Sequence, residues 1–135
     1  MAPGSGGDAG VHGQSKADAI AAAVAAAVLV AAGYLGVGQA LGAHPFWAIK
    51  VVWIGVGTGA VLFGLSRFWT ASGLVNLTIA LVLLAGSAGV TMLGKARFAA
   101  SYAEDFVAGR MWFLGWMALV AATFLLLALL SARRG

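Results

Sequence analysis

Four apolar runs, each about twenty residues long and nearly free of charge, constrain this chain more than any other feature. They cover approximately residues 19–41, 46–65, 74–93 and 111–130. A helix that crosses the hydrocarbon core of a bilayer needs about 20 predominantly apolar residues. In lipid every backbone N–H and C=O has to be satisfied within the protein, which leaves helices and closed barrels as spanning structures. The runs lack the period-two alternation of barrel strands, so helices are expected. Composition agrees: 9% of the 135 residues are charged and 62% are hydrophobic, against about 25% and 45–50% in a soluble domain. The expected fold is an all-α membrane protein, a four-helix transmembrane bundle occupying residues 18–135. No length remains for a soluble domain of useful size.

Residues 1–17 are rich in Gly and Ser and carry no periodicity, the composition of a disordered polar tail. Ser15 or Asp18 is placed to cap the first helix. A signal peptide competes for this segment. However, Lys16 stands behind a long neutral leader, and the apolar run exceeds the 7–15 residues of a signal h-region. A retained helix is the preferred reading. The stretch Gly42-Ala43-His44-Pro45 reads as a turn. Trp47 and Trp69, 22 residues apart, are spaced by about 33 Å if helical, which suits one ring at each interface.

The connection from Lys95 to Arg110 has its own pattern. Phe98, Tyr102 and Phe106 recur at i, i+4 and i+8, with Arg97, Ser101 and Glu104 opposite. That spacing predicts a short amphipathic helix lying in the interface between the third and fourth spans. Packing of the aromatic stripe on the protein's own helices is the equal alternative.

The eight basic residues give a net charge of +4, yet seven flank apolar runs, the pattern of topology determinants rather than of a nucleic-acid surface. With four spans both termini share one face, together with Lys16, Arg67, Arg133 and Arg134. Lys95, Arg97, Arg110 and the end of Lys50 belong to the other. The Arg133-Arg134 pair favours cytoplasmic termini in a cell membrane. Five Arg to three Lys, with many small residues, fit a GC-rich bacterial genome.

Few residues could carry chemistry. The chain has no cysteine and two histidines, His12 and His44, so no thiolate or histidine metal site is expected. Lys50, inside the second run, is a candidate proton or anion handle. Its aliphatic stem can also carry the charge back to the interface, which is the favoured reading. Gln39, Asn76 and Ser87 are further candidates for a polar path. More commonly such groups hydrogen-bond between helices. Glu104 and Asp105 are the only paired acids, and neighbours on a helix project about 100° apart. With Arg97 and Arg110 nearby, an interfacial ion cluster is the expected role. Glycines mark helix packing: Gly38, Gly42, Gly55, Gly59, Gly86 and Gly89, with Gly55/Gly59 and Gly38/Gly42 as small-xxx-small pairs. On this basis the first three helices pack tightly, and the fourth, rich in Leu and Phe, faces lipid.

The expected function class is a non-catalytic accessory subunit or assembly partner of a larger membrane complex, or a self-associating bundle, with no cofactor and no nucleic acid. The alternative is a small-solute or ion transporter or pore, with Lys50, Gln39, Asn76 and Ser87 lining the path. Catalysis needs at least two groups within hydrogen-bond reach, and no such pair suggests itself.

Overall fold

In a computed structural model the backbone is described for residues 3–41, 43–44, 47–68 and 72–134, and side chains for 16–41, 43–44, 47–68 and 72–132. Five helices follow one another: α1 (Pro3–Tyr34), α2 (Val37–Ala40), α3 (Ala48–Ser66), α4 (Gly73–Ala100) and α5 (Phe106–Arg134). Four contain stretches long and apolar enough to cross a membrane: Lys16–Tyr34, Ala48–Ser66, Gly73–Ala100 and Phe106–Ala132. This is a polytopic membrane protein built as a helical bundle.

The boundaries differ from expectation in three places. Helical backbone begins at Pro3, where an irregular tail over 1–17 was expected, although the apolar span itself starts at Lys16. The first span ends at Tyr34 rather than near Leu41. Gly36 takes a left-handed conformation (φ 83°) and accepts the single turn of α2 behind it. Glycine adopts this conformation at little steric cost, so the break falls there. The separate interfacial helix over Lys95–Arg110 does not form. Residues up to Ala100 prolong α4, a turn follows, and α5 starts at Phe106.

That turn is a Schellman motif. The Tyr102 amide donates to the Ala99 carbonyl (3.1 Å) and the Ala103 amide to the Phe98 carbonyl (3.0 Å), which satisfies carbonyls left open at the end of α4. Tyr102 and Ala103 sit at φ 56° and 65°, a left-handed conformation usually given to Gly or Asn. Asp105 then caps α5: its Oδ1 accepts from the Ala108 amide at 3.0 Å. The i, i+4, i+8 stripe of the sequence is interrupted because the αL pair reverses the chain between Phe98 and Phe106. Tyr102 and Phe106 remain exposed (92% and 77%).

The largest correction concerns α5. Half of its most apolar stretch is buried, against 33% for α3, 22% for α4 and 11% for α1. It packs on α4, α3 and α1, whereas α3 and α4 scarcely touch. The fourth span is therefore the centre of the bundle rather than its lipid-facing wall. One core cluster joins Ala21 and Ala25 of α1, Phe63 of α3 and Ala80 of α4 to Phe124, Leu125, Ala128 and Leu129 of α5. A second joins Ala43, Ala48 and Val51 to Trp116 and Val120. Adjacency in sequence does place α4 against α5, but α3 skips its successor to reach α5.

Small residues explain the arrangement. A Cβ on Gly55 would stand 2.5 Å from Val120 Cβ, and one on Gly59 would stand 2.6 Å from Phe124 Cβ. The Gly55/Gly59 pair is thus a packing seam, directed at α5. A Cβ on Gly94 would lie 2.6 Å from the Trp112 amide nitrogen and 2.8 Å from the Ala108 carbonyl oxygen, and one on Gly115 would meet Thr91. Gly94 and Gly115 form the α4–α5 seam and were not singled out in the sequence. By contrast, a Cβ on Gly86 or Gly89 would meet nothing within 4 Å, and one on Gly38 would make an ordinary 3.7 Å contact with Ala43. Gly42 lies outside the described residues, as does Trp69.

Candidate functional site

The polar residues singled out from sequence do not converge. Gln39 is exposed on α2, and Lys50 is exposed in the first turn of α3, two residues after Ala48. Asn76 is buried at the end of the first turn of α4 and Ser87 near its middle. Ser87 lines a groove of about 780 Å³; Gln39, Lys50 and Asn76 line none of the four cavities described among these helices.

The hydroxyls mostly serve their own helices. Ser87 Oγ donates to the Leu83 carbonyl (2.7 Å), Thr58 to Ile54 (2.9 Å), Thr78 to Leu74 (2.9 Å) and Thr123 to Leu119 (2.8 Å). Back-bonding to the preceding turn satisfies the hydroxyl without a partner helix. Ser87 is buried in this way rather than by bonding across to another helix. Thr91 is the exception: its Oγ1 is buried against Gly115 without a hydrogen-bond partner among the described residues.

At the face shared by the start of α3 and the α4–α5 turn, aromatic rings collect. Trp47 packs edge-on against Trp112 (centroids 5.3 Å apart) and Phe113 (5.2 Å). His44 lies 5.8 Å from Trp112, and Phe98 also 5.8 Å. Tryptophans gather at membrane–water interfaces, where the ring is apolar and the indole N–H polar. The paired Trp47 and Trp112 rings have the chemistry that such an interface favours. Since Trp112 is six residues into α5, about 9 Å of that helix and the whole α4–α5 turn extend beyond the ring level. A cavity of about 370 Å³ lies among these rings, bordered also by Phe106 and Arg110. Trp112 Nε1 is buried without an acceptor among the described residues.

The opposite face carries an ion pair, Arg67 to Asp18 at 2.9 Å, with the Arg67 guanidinium 4.8 Å from the Phe63 ring centre. It ties the first turns of the α1 span to the end of α3. Of the two acids near the α4–α5 turn, Asp105 is committed to capping α5, and Glu104 is exposed beside it. The expected ion cluster with Arg97 and Arg110 is replaced, for Asp105, by a backbone role.

Between α3 and α4, where those helices fail to meet, α5 forms the floor of a groove of about 780 Å³. That volume falls in the range of ligand sites, about 300–1,000 Å³. Thr58 and Leu62 form one wall, Val82, Gly86, Ser87 and Val90 the other, and Leu114, Ala118 and Ala122 the floor. Arg110 is the one charged side chain in the lining and stands at the aromatic end. Two smaller apolar cavities flank α5 on its other side, about 400 Å³ beside Thr91 and Lys95 and about 280 Å³ beside Gly33 and Val52. Among the described residues no three His, Asp or Glu come together as a metal site.

Sequence reasoning passed over Arg110 and Trp112 as members of a site, because each looked like an ordinary end-of-span residue. What brings them together is tertiary: the contacts Phe98–Gly109 and Thr91–Gly115 both centre on the turn at 102–104, as an antiparallel hairpin requires. No family model, curated protein or solved structure matches the chain.

Proposed function

We propose that this protein is a non-catalytic accessory subunit that joins other membrane-protein subunits, or copies of itself, through the outward face of α4. The observation that supports this reading is the strip Thr78, Ala85, Gly89 and Ala96. These residues are exposed and recur on one side of the helix, turned away from α5 except that Ala96 also borders the cavity beside Lys95 and Trp116. Ala85 and Gly89 make a small-xxx-small pair, and nothing lies within 4 Å of a Cβ built on Gly89. In a bilayer, lipid tails are as apolar as Leu, so helices associate by close packing and small residues mark where backbones approach. Small residues left open on an otherwise Leu- and Val-rich helix therefore favour a helix partner.

Read as four spans, the chain carries both termini on one side; with Lys16, Arg67 and the Arg133-Arg134 pair there, the cytoplasm is the proposed side of the termini.

The test is native mass spectrometry of the protein released from lipid nanodiscs, with Gly89→Leu as the probe. The expected result is a stable assembly in the wild type that dissociates in Gly89→Leu, while helical circular dichroism is unchanged. A wild-type monomer, or an assembly indifferent to Gly89→Leu, refutes the proposal.

A further inference from the structure

We propose that the groove between α3 and α4 is a lipid site: it holds one acyl chain of an anionic phospholipid, whose phosphate rests on Arg110. This goes beyond the partner surface above, since it uses the flank of α4 at Gly86 rather than the outward face at Gly89.

Charge placement supports the headgroup end. Arg110 is the one charged side chain lining the groove, and it also borders the aromatic cavity. The carboxylate nearest in sequence, Asp105, accepts from the Ala108 amide through Oδ1, and no ion pair joins it to Arg110 among the described residues. A phosphate offers the Arg110 guanidinium a negative charge and several acceptor oxygens. Arg110 is two residues from Trp112, whose contact with Trp47 sets it at headgroup depth.

Below Arg110 the groove is suited to hydrocarbon. Its hydroxyls, Thr58 and Ser87, donate to carbonyls of their own helices. Its depth discriminates between occupants. From Arg110 to Ala122, the innermost lining residue on α5, the helix rises about 18 Å, against about 15 Å for half of the hydrocarbon core. One acyl chain of a single leaflet matches that depth. A spanning helix from a partner would need a groove as long as the whole core, about 30 Å.

The experiment is native mass spectrometry of the full chain released from nanodiscs. The discs contain equal amounts of phosphatidylglycerol and phosphatidylcholine with identical acyl chains. The wild type is expected to retain lipid, with phosphatidylglycerol favoured about fivefold, the preference expected from one cation at an anionic surface. Arg110→Gln should still carry lipid but lose the preference. Gly86→Phe, whose side chain enters open space, should lose lipid of both kinds. Leu62→Trp fills the groove from the α3 wall and should do the same, so the proposal does not hang on one variant folding. Equal retention of the two lipids by the wild type overturns it. So does a preference that survives Arg110→Gln, or lipid retention that survives both groove-filling changes. A crosslink from Val90→Cys to a second copy or another protein would also overturn it, because the groove would then be filled by helix. Gly89→Leu should leave lipid retention unchanged, which separates failure of this site from failure of the partner surface.

Discussion

Replacing Gly94 with alanine tests the α4–α5 seam directly. The added Cβ would stand 2.6 Å from the Trp112 amide nitrogen, 2.8 Å from the Ala108 carbonyl oxygen and 2.8 Å from Met111 Cβ. Non-bonded carbon contacts settle near 3.5–4.0 Å, so roughly 1 Å must be found. Two of the three obstructing atoms are backbone, and no rotamer change can move them. The two helices must part, and a radial gap of 0.5–1 Å already forfeits a quarter to a half of each dispersion contact along the seam. Overpacking of this kind costs about 1–3 kcal/mol. Alanine also gains about 1 kcal/mol of helix propensity over glycine, which would blur the result if Gly94→Ala were measured alone. Gly89→Ala provides the control on the same helix, because nothing lies within 4 Å of its Cβ. The propensity gain is common to both variants, so their difference isolates the contact. Reversible unfolding of monomeric protein in mixed micelles, followed by circular dichroism, should place Gly94→Ala about 1–3 kcal/mol below Gly89→Ala. Equal stability within about 0.5 kcal/mol would refute the close approach of α4 and α5 at this point.

Three further outcomes follow from the termini and turns. Tyr102→Gly should raise unfolding stability by about 1 kcal/mol, because the residue is held at φ 56°, where a side chain is disfavoured by about 1–2 kcal/mol; no gain would argue against the left-handed cap. Asp105→Ala should lower stability by about 0.5–2 kcal/mol by uncapping α5, with Asp105→Asn largely preserving it; the same unfolding assay reads both. A double-mutant cycle on Asp18→Asn and Arg67→Gln should give a coupling below about 1 kcal/mol that shrinks as salt rises, since both partners remain partly exposed. A coupling that ignores salt would place the pair in a drier setting than the one observed.

The role of α5 bears on how the molecule works as a whole. Because α3 and α4 each pack on α5 and scarcely on each other, the bundle keeps a lateral opening rather than a closed barrel of helices. Both proposals grow from that geometry. The open groove suits a lipid, and the far side of α4, free of intramolecular packing, suits another helix.

Much of the fold is legible in the chain taken alone. Hydropathy acts along one dimension, so four spans emerge wherever about twenty apolar residues run without charge. Ser72, whose Oγ accepts from the Val75 amide at 3.2 Å, caps α4 just ahead of the third apolar run. The Gly55/Gly59 pair lies where α3 approaches α5 closely. Which helix stands at the centre is a different kind of question. The Leu- and Phe-rich fourth span looks lipid-facing only by the logic of water, where an apolar surface needs hiding. In a bilayer the solvent is itself apolar, so hydrophobicity no longer separates inside from outside, and close packing decides. That is why Gly94 and Gly115 form a seam, while Gly86 and Gly89, no different in type, stand open. Lys95–Arg110 shows the same limit. Its aromatic period is sound, yet two left-handed residues turn the chain back so that Phe98 can pack on Trp112. Local sequence sets which segments enter the membrane; only the tertiary structure, through the closeness of approach between particular helices, decides which faces remain for lipid or a partner.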